Sequence, residues 1–268
     1  MNRSSQKFLY HGNETATTEH AAALIVAEAY RAIAERERFL MALAGGNSPR
    51  ILYKRLAQGV SAELLKHYRL PLPDGWSKNT QALHHLPEKT WFFMGDERCV
   101  PIDHPDSNER MIMETLLPHS GIPDNHLIRM AGEKADTEEA AREYEGAIRS
   151  FFPIEESGSS KKFPRFDLIL LGLGDDGHTA SLFADNAEAL QEQSQWVIAL
   201  NAPFGKPPGK RLTLTLPVIN HARNILFFTT GKTKSELAEK IFLEQEKNVP
   251  ASLVKPYNGK LYWFTAQP

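Results

Sequence analysis

FDLILLGLGDDGHTASLF, at residues 166–183, joins a short apolar run to a glycine-rich turn. The run Leu168–Leu171 has the length and composition of a strand that is buried on both faces, as in a parallel sheet. The glycines that follow, Gly172, Gly174 and Gly177, allow the backbone to turn sharply and to come close to a ligand. A strand that ends in such a turn opens at the carboxyl edge of the sheet, where α/β proteins bind ligands.

His178 is placed at this edge, with a side chain that can exchange a proton near neutral pH. A single histidine is most often a polar core or capping residue. This one follows a strand and a glycine turn, and the carboxylates Asp175 and Asp176 stand beside it; these surroundings favour a functional role. The glycine spacing also matches the G-x-G-x-x-G dinucleotide pattern, but we discount that match because the two carboxylates stand where a pyrophosphate would approach.

The composition is that of a chain with enough apolar residues for a sizeable core. Its 268 residues are 41% hydrophobic and carry a formal net charge of −2, which gives no indication of nucleic-acid binding. No apolar run approaches the roughly 20 residues needed to cross a membrane, and the first residues do not resemble a secretory signal. The single cysteine, Cys99, excludes an intrachain disulfide and fits a reducing compartment. We therefore expect a cytoplasmic protein without a nucleic-acid or membrane partner, and the sequence leaves open whether it is a monomer or a small homo-oligomer.

A second strand–turn–helix unit lies nearer the start of the chain. The apolar run at residues 39–44 predicts a buried strand that leads into GGNSP at residues 45–49, where Ser48 is expected to cap a helix and Pro49 to begin it. Free N–H groups and the helix dipole at such a position attract anions. An ordinary turn needs only one glycine, so two glycines and two hydrogen-bonding side chains favour a phosphate or a similar anion.

A charged cluster follows a third buried strand, which is predicted at residues 90–94. Asp96, Glu97 and Arg98 come almost directly after this strand, and charges in that position must be paired or must face a ligand. Arg98 could bind a phosphate or a carboxylate. It could equally form an internal ion pair with Asp96 or Asp103, and the sequence leaves both roles open.

Strands and helices alternate along nearly the whole chain, which predicts one α/β domain over residues 1–268 on a largely parallel sheet. Residues 57–89 contain several prolines and are interpreted as a surface insertion, and residues 153–165 as an exposed link. Residues 211–216 alternate polar and apolar side chains, as does a strand with one solvated face. Further helices are predicted at 18–38, 137–152 and 232–244, another from residue 106 that Pro118 stops, and further strands at 195–200, 224–230 and 260–265.

Four blocks of the sequence resemble the 6-phosphogluconolactonase family, in that family's order and over most of the chain. They are Gly45-Gly46-Asn47-Ser48-Pro49, Asp96-Glu97-Arg98-Cys99-Val100-Pro101 with Ser107-Asn108, residues 172–183, and Arg211-Leu212-Thr213-Leu214-Thr215 with Pro217. The resemblance implies a Rossmann-like α/β fold shared with glucosamine-6-phosphate deaminases. It also implies hydrolysis of 6-phospho-D-glucono-1,5-lactone to 6-phospho-D-gluconate in the oxidative pentose phosphate pathway, with no cofactor and no obligatory metal.

The same resemblance implies roles for individual residues. His178 would be the general base that activates water, a task that suits imidazole because it titrates near neutrality. Asp176 would orient the imidazole, or would only hold the loop. The residues implied in substrate binding are Gly45, Gly46, Asn47, Ser48, Asp96, Arg98, Gly177, Lys210 and Arg211. Which of Arg98, Lys206, Lys210 and Arg211 contacts the phosphate stays open.

Two other functions remain as alternatives. A deaminase of the same fold would carry a Phe-Asn-Glu-Pro type segment after the histidine, whereas residues 179–183 contain no glutamate. A non-catalytic sugar-phosphate sensor would keep the anion loop but would need no base at His178. The chain also departs from the family pattern, since Asn47 and Ser48 replace the usual Ser and Thr, and Ala184 replaces a usual proline.

Overall fold

The computed structural model describes residues 6–74, 76, 81–152 and 163–267. Its strands are β1 (Gln6–Asn13), β2 (Phe39–Leu43), β3 (Val60–Ser61), β4 (Leu83–His84), β5 (Thr90–Met94), β6 (Asp96–Arg98), β7 (Leu127–Ile128), β8 (Leu168–Leu171), β9 (Val197–Ala202), β10 (Gly209–Leu214), β11 (Asn224–Thr230) and β12 (Lys260–Gln267). Its α-helices are α1 (Glu14–Arg36), α2 (Asn47–Ala57), α3 (Ala62–His67), α4 (Asn108–Thr115), α5 (Leu117–Ser120), α6 (Thr137–Phe151), α7 (Ala187–Gln191), α8 (Leu216–His221) and α9 (Lys232–Phe242).

A seven-stranded sheet forms the centre of the molecule, in the order β1-β12-β11-β8-β2-β5-β7. All of its strand pairs are parallel. Every residue of β2 and β8 is buried, as expected for strands covered on both faces by helices. The predicted α/β fold with a largely parallel sheet is therefore confirmed, and the predicted bounds of the strands at 90–94, 168–171 and 224–230 agree with β5, β8 and β11.

The amino edge of this sheet is held by one buried carboxylate. Asp167, directly before β8, accepts hydrogen bonds from the Leu40 N–H at 2.9 Å and from Arg36 Nε at 2.9 Å. Arg223 Nε, just before β11, lies 3.4 Å from the same side chain. The end of α1 and the starts of three strands thus meet at Asp167, which leaves the opposite, carboxyl edge of the sheet free for loops.

A second, antiparallel sheet of three strands, β6-β10-β9, extends from the end of β5. The alternation at residues 211–216 predicted one solvated face, and this prediction was wrong, since Arg211, Leu212, Thr213 and Leu214 are all buried. The polar side of β10 lies on the turn that follows β8, where Thr213 Oγ1 accepts a hydrogen bond from the Ser181 N–H at 3.2 Å. In β10, the alternation of polar and apolar residues therefore reflects a polar face that is buried against other polar groups.

Some local predictions need correction. Ser48 does not cap α2: Gly46, at φ 95°, precedes the helix without any side-chain cap, and Ser48 lies inside its first turn. Pro118 does not end a helix but sits in the first turn of α5, where its missing N–H costs nothing.

The insertion at 57–89 is only partly on the surface. Val60 and Leu65, in β3 and α3, are fully buried in the core, and α3 packs against α1. Residues 153–162 of the predicted link, and residues 75 and 77–80 of the insertion, lie outside the described residues.

Candidate active site

A cleft of about 660 Å³ opens at the carboxyl ends of β2, β5 and β8, between these strand ends and the β9–β10 hairpin. Its position follows from the topology, because parallel strands deliver their loops to one edge of the sheet. It is lined by residues 44–50, by Asp96, Arg98, residues 105–108 and Met111, by residues 172–176, His178, Ala180, Ser181 and Phe183, and by Phe204, Lys206, Arg211 and Lys234.

His178 and Asp176 form a hydrogen-bonded pair in the turn after β8. The distance between His178 Nδ1 and Asp176 Oδ1 is 2.5 Å, and the same oxygen accepts the His178 N–H at 3.1 Å. The hydrogen bond from His178 lowers the pKa of Asp176 to about 2. An ionised carboxylate only accepts, so Nδ1 carries the proton and Nε2 is left to accept one. The Phe183 ring lies beside the imidazole, with centroids 4.5 Å apart.

The glycines of this turn make the pair possible. A Cβ on Gly174 would lie 2.1 Å from His178 Nδ1, so a larger residue would displace the imidazole. Gly177 adopts φ +78°, and a Cβ there would meet Val249 at 2.5 Å. The Gly177 carbonyl also accepts the Ala251 N–H at 3.0 Å. Gly177 therefore shapes the turn from behind, and it does not line the cleft.

Ser181 connects this turn to the small antiparallel sheet. Its Oγ donates to Asp96 Oδ2 at 2.7 Å, and both side chains are buried. Ala180, between Ser181 and Thr179, has a left-handed φ of 48°, which is uncommon for a residue with a Cβ. Sequence reasoning missed Ser181, since a serine in a loop has no distinguishing local signal.

The loop after β2 forms the opposite part of the cleft. Gly46 has open space around its Cα and no side chain caps α2 after it. Ser48 Oγ lies 2.9 Å from Thr230 Oγ1 and accepts the Thr230 N–H at 3.1 Å, which ties α2 to the end of β11. Gly45 is closely packed, since a Cβ there would lie 1.9 Å from Asn108 Oδ1. The uncapped first turn of α2 is thereby placed at the cleft, and the anion site expected there stays a prediction.

Arg98 and Arg211 stand directly opposite each other in the antiparallel pairing of β6 with β10. Arg211 is 3% exposed and donates to the carbonyl oxygens of Lys210 and Pro207. Arg98 donates to the Asp106 carbonyl. Burial, and then the charge of Arg98, lower the pKa of Arg211. Both guanidinium groups donate to main-chain oxygens and not to carboxylates, so their positive charges are left to attract an anionic ligand.

Of the two roles left open for Arg98, the described part of the chain contradicts the internal ion pair. Its guanidinium forms no ion pair with Asp96 or Asp103 there: Asp96 binds Ser181, and Arg98 binds the Asp106 main chain. The arginine side chain lines the cleft instead. The ligand-binding alternative is therefore the one that this geometry favours.

Lys210 does not line the cleft, in contrast to the expectation from sequence. It is exposed and precedes Arg211 in β10, where successive side chains point to opposite faces. Arg50 and Lys234 line the cleft and were missed. The signal for Lys234 was present in Gly231-Lys232-Thr233-Lys234, where a glycine and cations follow a buried strand at the start of a helix, much as in the loop after β2.

In the residues that the structure describes, no group of three or more His, Cys, Asp and Glu side chains is arranged to hold a metal ion. No described helix has the length and apolar character that a membrane crossing requires.

A sequence profile described as glucosamine-6-phosphate isomerases/6-phosphogluconolactonase matches residues 12–263. The chain belongs to this family. A 6-phosphogluconolactonase of Synechocystis sp. is 38% identical over 257 residues, which cover 95% of this chain and 93% of that protein. The human 6-phosphogluconolactonase is 43% identical over 170 residues, covering 63% of this chain and 62% of the human one. The family resemblance that rested on four sequence blocks is thus confirmed, and with it the expectation of a lactone-hydrolysing enzyme.

Solved structures agree with this assignment. The 6-phosphogluconolactonase from Trypanosoma cruzi superimposes with a TM-score of 0.75 and 28% identity, over 100% of this chain and 96% of that one. A monomeric glucosamine-6-phosphate deaminase superimposes with a TM-score of 0.67 over 96% of this chain and 97% of its own, but at 19% identity it shares the fold alone. The predicted similarity to the deaminase fold is confirmed.

Proposed function

We propose that the chain hydrolyses 6-phospho-D-glucono-1,5-lactone to 6-phospho-D-gluconate, with His178 as the general base. The observation that carries this proposal is the Asp176–His178 pair, joined at 2.5 Å, in the same cleft as two arginines that bind no carboxylate among the described residues. A base and the two arginines Arg98 and Arg211 in one cleft suit an anionic substrate with a hydrolysable bond. The family membership of the chain supports the choice of a phosphorylated sugar lactone.

His178 acts through Nε2, since Nδ1 is bound to Asp176. Nε2 takes a proton from a water molecule as the water oxygen bonds to the lactone carbonyl carbon. The tetrahedral intermediate then breaks the bond between this carbon and the ring oxygen, which receives the proton from the imidazolium. Asp176 stabilises the imidazolium between the two transfers, because its carboxylate remains ionised.

The oxyanion of the intermediate needs donors from another part of the cleft. The N–H groups of Gly174 and Gly177 are used inside the turn, where they donate to the carbonyls of His178 and Gly174. We therefore assign the oxyanion to donors on the facing walls, where Arg98 in β6 and Lys206 in the β9–β10 loop line the cleft.

The phosphate is proposed to bind at the uncapped first turn of α2, with Arg211 and Lys234. Residues 46–48, Arg211 and Lys234 line the same cleft, and a helix N-terminus with cations is a typical phosphate site. Binding energy from the phosphate would position the lactone ring for attack. Lys210 has no part in this site, since its side chain lies outside the cleft.

The alternatives receive less support. The segment after His178 lines the cleft with Ala180, Ser181 and Phe183, none of which can supply the acid–base group of a deaminase. A sensor would have no use for an imidazole held by a carboxylate with a free Nε2. Turnover separates these possibilities more directly than binding does.

The decisive experiment measures hydrolysis of freshly prepared 6-phosphogluconolactone against its spontaneous rate, for the wild type, His178→Ala and His119→Ala. His119 is exposed on α5 and serves as the matched control. We expect His178→Ala to lose roughly 10²- to 10⁴-fold in kcat while it still binds 6-phosphogluconate, and His119→Ala to be unchanged.

Other outcomes have definite meanings. If His178→Ala hydrolyses the lactone as fast as the wild type, the general base lies elsewhere, and only the lactonase part of the proposal stands. A folded wild type that binds 6-phosphogluconate without turnover above background would establish the sensor. Production of a ketose phosphate and ammonia from glucosamine 6-phosphate would establish the deaminase.

A further inference from the structure

Phe204 is the most exposed of the large hydrophobic side chains in the described residues, at 77%. It lies at the tip of the β9–β10 hairpin and lines the cleft. An exposed aromatic ring forgoes the favourable burial that such a side chain normally obtains. At the mouth of a ligand cleft, this ring is placed to be covered when a ligand enters.

The turn that carries Phe204 is ordered by its own hydrogen bonds. The Gly205 N–H donates to the Ala202 carbonyl at 3.1 Å and closes a four-residue turn with Phe204 at its third position. Gly205 is buried, and a Cβ there would come within 3.1 Å of Ala202. Phe204 therefore projects from a defined turn and not from a loose segment.

The loop of the same hairpin is hydrogen-bonded to Arg211, one of the two arginines that line the cleft. Arg211 donates to the Pro207 carbonyl, three residues beyond Phe204, and also lines the cleft. Lys206 lines the cleft from the same loop. The hairpin thus presents cations and one aromatic ring to a single ligand, which matches a molecule with a phosphate at one end and an uncharged ring at the other.

We propose that Phe204 packs against the C–H face of the lactone ring and so contributes to substrate affinity and ring specificity; this inference rests on the proposed function. Hydroxylated sugar rings are polar at their edges but present apolar C–H groups on their faces, and aromatic side chains cover such faces well. The other aromatic ring of the cleft, Phe183, lies against the His178 imidazole. Phe204 is therefore the aromatic side chain that remains available for the substrate in the described cleft.

The test compares Phe204→Ala, Phe204→Leu and Phe204→Trp with the wild type, and uses Leu243→Ala as control. Leu243 is 52% exposed at the end of α9 and does not line the cleft. We expect KM for 6-phosphogluconolactone to rise roughly fivefold to tenfold in Phe204→Ala, less in Phe204→Leu and little in Phe204→Trp, with kcat within about threefold. Thermal unfolding should be unchanged in all four variants, because the substituted side chains are exposed.

A second substrate separates the ring contact from the phosphate contact. With unphosphorylated glucono-1,5-lactone, Phe204→Ala should raise KM by the same factor, since the ring is unchanged. Lys234→Ala, at a cleft lysine proposed to bind the phosphate and outside this loop, should raise KM only for the phosphorylated substrate. A Phe204→Ala effect that disappears with the unphosphorylated lactone would assign Phe204 to the phosphate end and overturn the proposal.

The remaining outcomes keep this proposal distinct from the proposed function. If the wild type hydrolyses the lactone and Phe204→Ala has the same KM, the proposal fails and the lactonase activity stands. If the wild type does not hydrolyse it, the activity fails, and the fluorescence of Phe204→Trp on titration with the freshly prepared lactone, relative to wild type, decides whether residue 204 contacts the ring. If Phe204→Ala dissociates an oligomer in sedimentation and leaves KM unchanged, the ring is a contact between copies of the chain.

Discussion

The 2.5 Å hydrogen bond between His178 Nδ1 and Asp176 Oδ1 joins residues only two positions apart, so both come from one turn after β8. Such a short-range pair needs no second element to bring its members together. It does need glycine at position 174, where a Cβ would lie 2.1 Å from His178 Nδ1. The carboxylate, the imidazole and the glycine therefore form one unit in which each residue constrains the others.

Substitution of Asp176 by Asn should lower kcat by roughly 10- to 100-fold and leave KM within about threefold, because the amide cannot stabilise the imidazolium as a carboxylate does. The pKa of Asp176 is lowered to about 2, so its charge persists at every pH used for assay, and only substitution removes it. Steady-state kinetics across pH 5–9 check this. A wild-type kcat in Asp176→Asn would show that the carboxylate only holds the loop.

Gly174→Ala should displace the imidazole and lower kcat by roughly 10²-fold, since about 1 Å of misplacement costs that much in other enzymes. Gly146→Ala, in α6, has nothing within 4 Å of the new methyl group and is the matched control. It should keep full activity and stabilise the fold by about 0.5–1 kcal/mol, because alanine is the better helix former. Steady-state kinetics and urea unfolding of both variants test this prediction. Full activity in Gly174→Ala would contradict the close packing of Gly174 against His178.

Arg211 and Lys210 are neighbours in the sequence, but substitutions at the two positions should have very different effects on KM. Arg211→Lys should raise KM for the phosphorylated lactone by roughly 10- to 100-fold, because the buried guanidinium that is proposed to bind the phosphate is lost. Lys210→Ala should change KM less than about twofold, because Lys210 lies outside the cleft. The comparison needs only initial rates, and a larger effect at Lys210 would show that the strand presents the other face to the substrate.

His20 should make the fold less stable in mild acid. Its ring stacks on Tyr68, with centroids 4.2 Å apart, and burial lowers its pKa from 6.5 to about 4. Between these values the unfolded chain binds a proton that the folded chain does not. The neutral, buried imidazole of His20 therefore makes its full contribution to stability above about pH 6.5, and that contribution is lost as the pH falls towards 4.

The measurement is urea unfolding of the wild type and His20→Phe at pH 7.5 and pH 4.5. Between pH 7.5 and pH 4.5, the free energy of unfolding should fall by roughly 1–2 kcal/mol more in the wild type than in His20→Phe. This figure allows for the solvent screening of a half-buried group. His119→Phe, on the surface, should follow the wild type. Equal losses in wild type and His20→Phe would show that the ring is protonated at little cost in the fold.

Much of the parallel sheet was predictable because its strands are buried on both faces. The runs that became β5, β8 and β11 end where the structure ends them, since a glycine directly follows each strand, at positions 95, 172 and 231. The two glycine turns were also predictable, because glycine adopts the positive φ of Gly46 and Gly177 far more easily than other residues do. A strand that is buried against polar groups, as β10 is, has no such local signature.

The amino-acid sequence alone determined the Asp176–His178 pair, the α/β alternation and the glycine loop after β2, since these depend on neighbours in the chain. Tertiary structure alone decided that β6 pairs with β10 and sets Arg98 opposite Arg211, that Lys234 reaches the cleft, and that Lys210 does not. The reason is that strand register determines which side chains share a face, and a shift of one residue reverses every choice. Register depends on contacts between distant segments, which a local pattern does not contain.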